Sequence, residues 1–284
     1  MTVSAHDNRP RLPTWEAALS HLVLVAGGFF LMIPLAWMLS TSLKSLGTVM
    51  SLPPEWIPRT FHWENYADIF RLVPFGRYVW NTVVITLLDV MGKIVSCSLV
   101  AFAFARLRWR GREALFLIML ATMMLPPQVT MIPQFVVFKH MELIDTIVPL
   151  VLPNWLGGPF LTFLLRQFFM SIPLDLDDAA RIDGASNFGI FWRVVLPLSK
   201  PALAAVAIFM FNGSWNDFFG PLIYLHSRDK YTIALGLRSF QDQNYTEWHL
   251  LMAASLVAML PVVLIFFFAQ KYFIQGIVFT GVKG

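Results

Sequence analysis

Residues 173–200 read Pro-Leu-Asp-Leu-Asp-Asp-Ala-Ala-Arg-Ile-Asp-Gly-Ala-Ser-Asn-Phe-Gly-Ile-Phe-Trp-Arg-Val-Val-Leu-Pro-Leu-Ser-Lys. A connection this long between two apolar stretches tends to carry function. Asp175, Asp177 and Asp178 place negative charge where a helix N-terminus attracts it. Ala179, Ala180, Arg181 and Ile182 continue that helix, and Gly184 can take the left-handed conformation that ends it. Ser186 suits the N-cap of a second helix. Phe188, Phe191, Trp192 and Val195 then recur at i, i+3, i+4 and i+7, an apolar stripe. Pro197 and Pro201 mark the entry to the next apolar stretch. The segment therefore predicts a short helix, a glycine turn and an amphipathic helix. Its apolar side needs either a protein partner or a lipid surface to rest on.

The chain around it is unlike a soluble protein. Of 284 residues, 57% are hydrophobic and 13% charged, and the mean hydropathy is +0.64. Soluble domains carry about 25% charged residues, so a water-soluble globule could not clothe its surface. Disordered, coiled-coil and collagen-like classes need high charge or a short repeat and are excluded. Six stretches approach the roughly 20 apolar residues that cross a bilayer. They are Leu22 to Leu39, Asn81 to Ala105, Ala114 to Pro133, Thr146 to Leu165, Pro201 to Leu225 and Leu250 to Ala269. The expected architecture is all-α: a polytopic membrane protein of six transmembrane helices. It divides into an N-terminal segment (1–21), a membrane domain (22–273) containing the 173–200 loop, and a tail (274–284). The polar leader carries acids as well as bases and no cleavage site follows, so the first stretch reads as an uncleaved span.

Orientation follows lysine and arginine. An even number of spans puts both termini, the 2–3 loop and the 4–5 loop on one side. That side holds the cluster Arg106, Arg108, Arg110 and Arg112, which places both termini in the cytoplasm. The net charge, +4 from 21 basic and 17 acidic residues, is too small and dispersed for nucleic acid. Cys97 is the single cysteine, so there is no disulfide or thiolate metal cage, and a small core residue is the expected role. The histidines form no ligand pair, and neither a phosphate-binding glycine loop nor a catalytic triad spacing occurs.

Other features leave alternatives open. Pro53, Pro54 and Pro58 forbid a continuous helix in the 43–76 outer loop. Trp56, Trp63 and Tyr66 there suit an interface belt, or a ligand contact. Pro126, Pro127 and Pro133 break the end of span 3, and Pro149, Pro153, Gly157, Gly158 and Pro159 interrupt span 4. Such spans either line a bundle interior or water-filled path, or are kinked for packing. Asp89 and Lys93 sit four apart in span 2, placed to neutralise each other or to meet a solute. In span 5, Asn212, Trp215 and Asn216 share a helical face and Asp217 follows. They could bind a hydroxyl-rich ligand or hold helices together.

The 173–200 segment resembles the EAA loop of binding-protein-dependent ABC importer permeases. That pattern is Glu-Ala-Ala, three residues, Gly, nine residues, then Ile-x-Leu-Pro. Here Asp178-Ala179-Ala180, three residues, Gly184, nine residues and Val194-Val195-Leu196-Pro197 keep both spacings, with Asp178 for the Glu and Val194 for the Ile. The run Phe163 to Phe169, the run Trp215-Asn216-Asp217-Phe218 with Pro221-Leu222, and the C-terminal Gly276 to Gly284 are similar to carbohydrate-type permeases. Gly92-Lys93-Ile94 is similar to the glycerol-phosphate importer's permease. The resemblance implies a type I ABC importer permease fold in a bacterial cytoplasmic membrane. It implies a homologous second permease, two ATPase subunits, an extracytoplasmic solute-binding protein and surrounding lipid as partners. ATP and magnesium would bind the ATPase subunits, with no cofactor and no enzymatic activity on this chain. Asp178, Ala179, Ala180, Asp183, Gly184, Ala185, Phe188 and Pro197 would form the ATPase-coupling element. The implied solute is a di- or oligosaccharide. The alternatives are glycerol-3-phosphate or a glycerophosphodiester, and, in another class, a secondary transporter or channel.

Overall fold

A computed structural model describes residues 14–241 and 245–281. Helix α1 (Thr14–Ser42) carries an uncharged apolar run from Leu22 to Leu39 and is almost wholly exposed from Leu19 to Met32, which only a lipid or partner environment tolerates. Short helices α2 (Leu46–Val49) and α3 (Asn65–Leu72) lie in the first outer loop. Asn65 fixes that loop by donating to the Ser42 and Lys44 carbonyls at 2.8 and 2.9 Å.

Helix α4 (Phe75–Arg106) is one continuous rod. The next predicted span is broken. Helix α5 (Arg112–Ala121) and a 3-10 turn meet α6 (Pro127–His140) at 97°. Pro126 and Pro127 mark this break, as expected. Pro133 does not end the span, because α6 runs past it to His140. Most side chains of α6 are exposed and Phe138 alone is buried, whereas α5 packs inward through Phe116.

Span 4 is α7 (Val148–Trp155) and α8 (Pro159–Ser171), with Gly157 at φ +96° in the gap. Helix α9 (Asp175–Ile182) opens the long connection. It continues through α10 (Asn187–Ile190), a π turn at 191–195 and α11 (Leu196–Leu198). That arm turns by 79° into α12 (Lys200–Trp215). Span 5 was expected to reach Leu225 unbroken. It stops at Trp215 and resumes as α13 (Phe219–Tyr224), because the Asp217 carboxylate accepts from Gly220 N and starts a new turn. Helix α14 (Ile233–Gly236) precedes α15 (Trp248–Gly281). Helix α1 starts before residue 22 and α15 runs past 273, so neither domain boundary coincides with a helix end. The basic N-terminal residues Arg9 and Arg11 and the terminal Lys283 lie outside the described residues.

Among the described residues, four helices are long and apolar enough to span a membrane, or up to six if each bent pair counts as one. At one end of α4 its C-terminal half packs with α8, the 187–198 arm and the start of α12 around Phe102, Leu165, Phe169, Phe191 and Val206. Cys97 sits in this cluster, fully buried, the core residue it was expected to be. At the other end α3, α14 and α15 close on Phe75, Tyr78 and Trp215. The 107–111 loop and α9 share one cavity, so the 2–3 and 4–5 connections lie at the same end, as an even number of spans requires.

Candidate functional site

The first site is the connection itself. The three acids of its first turn start α9. It ends on Gly184 at φ +82°, with Gly184 N donating to the Arg181 carbonyl and Ala185 N to the Ala180 carbonyl, a Schellman closure. A Cβ at Gly184 would meet no heavy atom within 4 Å, so glycine is required there by backbone conformation rather than space. Ser186 Oγ accepts from Gly189 N at 3.2 Å, the N-cap read from sequence.

The surface that results is mixed. Asp178, Ala179, Asp183 and Gly184 are exposed, and Asp178 pairs with Arg181 at 2.7 Å. Ile182 is 88% exposed, and Phe188 and Trp192 stack outward with ring centroids 6.4 Å apart. Pro197 is also exposed. Ala180 and Ala185 turn inward against the core. The apolar stripe expected to need a partner is therefore divided. Phe191 and Val195 are buried in the chain's own core, while Phe188 and Trp192 remain outside. The π turn at 191–195 puts an extra residue into the helical period, which separates the two pairs.

Two basic residues counted only for topology carry structure here. Arg166 Nε donates to the Phe104 carbonyl at 3.4 Å, its Nη2 meets Glu113 at 3.4 Å, and its guanidinium lies 4.1 Å over Phe116. Arg106 Nη2 donates to the Ile172 carbonyl at 2.8 Å, and its Nε faces Asp177 at 3.6 Å. Sequence had read Asp177 only as helix-starting charge; it is buried.

The second site is a cavity of 230 Å³ where α4, α7, α12 and α13 converge. Asp89, Asn154, Ser214, Asp217 and Thr232 supply its polar lining. Asp89 and Lys93, placed to neutralise each other or to meet a solute, each have a hydrogen-bond partner of their own. Asp89 Oδ2 accepts from Ser214 Oγ at 2.6 Å, and Lys93 Nζ donates to the Gly157 carbonyl at 2.7 Å. The span 4 break leaves that carbonyl free to accept from the ammonium. No basic residue lines the cavity. The predicted Asn212–Trp215–Asn216 face also separates. Asn212 and Asn216 are exposed and bond to each other at 2.9 Å. Trp215 is buried and its Nε1 donates to the Ala258 carbonyl at 3.0 Å, tying α12 to α15. Asn154, Ser214 and Thr232 had no local sequence signal, since their partners lie on other helices. Among the described residues no group of three acidic, histidine or cysteine side chains could hold a metal.

Comparison with known proteins agrees with this geometry. Residues 97–278 match the family model "Binding-protein-dependent transport system inner membrane component". The chain is 33% identical over 278 residues to the arabinooligosaccharides transport system permease protein of Bacillus subtilis, covering 97% of this chain and 98% of that one. It is 34% identical over 267 residues to the sn-glycerol-3-phosphate transport system permease protein of Pectobacterium atrosepticum, covering 91% and 95%. The crystal structure of a bacterial ABC transporter that imports alginate contains a chain with the same fold. It aligns with a TM-score of 0.81 at 24% identity, over 93% of this chain and 100% of that one.

Proposed function

The chain belongs to the inner membrane component family of binding-protein-dependent transport systems, and on that premise we propose that it forms half of the pathway of an ATP-driven importer of uncharged oligosaccharides. The other half is a homologous permease. Two ATPase subunits bind ATP and magnesium, and an extracytoplasmic protein delivers the solute. This chain catalyses no reaction. Its termini and the 173–200 loop face the cytoplasm, where α9 docks on an ATPase. Exposed Asp178 and Asp183 offer charge-assisted hydrogen bonds, and Ile182, Phe188 and Trp192 supply apolar contact.

One observation carries the choice of solute. The membrane cavity is lined by two carboxylates, an amide and two hydroxyls, with no cation. Such a lining accepts hydrogen bonds from sugar hydroxyls and repels a phosphate. The relatives divide between an oligosaccharide and a glycerol phosphate system, and the cavity's charge favours the former. Asp89 and Asp217 are the proposed pathway residues, with Asn154 and Ser214 beside them. Lys93 braces the span 4 break and Trp215 braces α15. Asn212 and Asn216 stay accessible for contact across the pathway.

The test is to tag the chain, identify what co-purifies from mild detergent, and reconstitute the assembly in liposomes. The expected result is recovery of an ATPase, a second permease and a binding protein, with ATP-dependent uptake of neutral oligosaccharides over glycerol-3-phosphate. Flux through this chain alone without ATP would overturn the importer reading. Preference for glycerol-3-phosphate would overturn the solute.

A further inference from the structure

Arg106 is the last residue of α4, and its guanidinium reaches both ends of the junction that launches α9. Nη2 holds the Ile172 carbonyl just after α8, and Nε faces the Asp177 carboxylate in the first turn of α9. The two side chains are 2% and 1% exposed. At 3.6 Å the pair makes no hydrogen bond, and Arg106 Nε and both Asp177 oxygens lack any other partner. A buried pair this poorly satisfied is a weak source of stability, and the best-attested use of such pairs is to fix register. What it fixes here is the position of α9 against the end of α4. The reciprocal bond from Arg166 in α8 to the Phe104 carbonyl ties α8 to the same end of α4.

Helix α4 has no break between Arg106 and Asp89 in the cavity. At 1.5 Å per residue those 17 steps span roughly 25 Å. We propose that Arg106 is a positioning group that locks α9 to α4 through Asp177, so that α4 carries a displacement of α9 to the cavity as one rigid rod. This rests on the reading of α9 as the ATPase-docking helix. The loop on the far side of α9 reaches α12 only through a π segment and a 79° turn. Through the Arg106 contact, α4 leads as one unbroken helix from α9 to Asp89.

The test uses the assembled transporter in nanodiscs, with Cys97→Ser and spin labels at Asp175→Cys and Leu99→Cys. In the native pair the α9–α4 distance is expected to hold within about 2 Å between nucleotide-free and ATP-trapped states. Arg106→Met with Asp177→Leu removes the pair without stranding a buried charge. That variant is expected to assemble and hydrolyse ATP, but uptake per ATP falls by about tenfold or more and the distance becomes nucleotide-dependent. At equal assembled amounts Asp177→Glu retains more coupling than Asp177→Asn. Native uptake per ATP in the double variant, or a nucleotide-dependent distance in the native pair, would overturn the lock. If native uptake needs no ATP, the docking reading itself fails and the lock with it, a result separable from failure of the lock alone.

Discussion

The tightest prediction concerns Gly184. Its φ of +82° is imposed by the closure of α9, in which Gly184 N and Ala185 N return to the Arg181 and Ala180 carbonyls. No heavy atom lies within 4 Å of where a Cβ would stand. Gly184→Ala therefore adds no clash and isolates the conformational cost, about 1–2 kcal/mol for an ordinary residue held left-handed. At 1.4 kcal/mol per tenfold, the closed turn is depopulated by roughly 5- to 30-fold. The turn lies at an exposed end, so the strain is relieved by local fraying and the membrane core is untouched. Uptake in proteoliposomes should fall within that range while membrane insertion and the assembled amount stay constant. Gly184→Asn tolerates the left-handed region and should keep most of the activity. Gly184→Pro cannot adopt the φ and also deletes the bond to Arg181, so it should uncouple hydrolysis from uptake altogether. Native transport by the proline variant would refute the reasoning. So would equal losses in Ala and Asn, since they would show that side-chain volume against a partner matters rather than φ.

Three further outcomes are expected. Asp145 ties the loop after α6 to residues 226–230, accepting from His226 N, Ser227 N, Ser227 Oγ and Lys230 Nζ. The Lys230 ammonium, then the Ser227 hydroxyl, hold its carboxyl well below the usual range. A depressed carboxylate stabilises fully above its unfolded pKa, about 3.9, and loses that contribution only as pH falls toward the native value. Hydrogen exchange at 226–231 should therefore be unchanged by this group from pH 8 to 5, and Asp145→Ala should raise it at pH 7. Gly92 is where the Trp155 ring crosses α4, and a Cβ there would overlap that ring. Gly92→Ala should lower the melting temperature in detergent by an amount matching about 1–3 kcal/mol of overpacking, and a second change, Trp155→Ala, should relieve it. Asp217→Asn keeps the acceptor toward Gly220 N but removes one charge from the cavity. Its sugar uptake should persist while discrimination against glycerol-3-phosphate weakens in a competition assay; unchanged discrimination would count against the electrostatic choice of solute.

What was legible in the sequence was whatever chain-local physics determines. The apolar stretches, the Pro126–Pro127 break, the Ser186 cap and the Gly184 stop all appear where the residues dictate, because each depends on neighbours within about four positions. The helix, glycine turn and second helix of the 173–200 loop were readable for the same reason, whereas its coupling role came only from the resemblance to the permease family. The cavity was not. Asp89 and Lys93, four apart on one helix face, offered each other as partners. A hydroxyl 125 residues away and a carbonyl 64 residues away proved better placed. Trp215 could have been either a ligand contact or a helix tie, because helical spacing gives direction without saying which side another helix occupies. Helix α15 occupies its side and takes the indole proton.

The same limit explains the divided stripe, and there the error points toward function. Regular 3.6-residue spacing would bury Phe188, Phe191, Trp192 and Val195 together. The π turn instead commits Phe191 and Val195 to the core beside Phe102 and leaves Phe188 and Trp192 stacked on the surface. This aromatic pair leaves most of its apolar surface in water, so it stabilises the isolated chain far less than a buried pair would. The segment thus has two faces. Its inward half anchors the loop to α4, α8 and α12, and its outward half leaves an apolar surface available to the proposed ATPase contact. Removing the outward pair, Phe188→Ser with Trp192→Ser, should leave the fold of this chain intact while weakening ATPase recovery in co-purification. Coincident loss of both would mean that the aromatics hold the loop itself, and the division of labour within 187–198 would have to be abandoned.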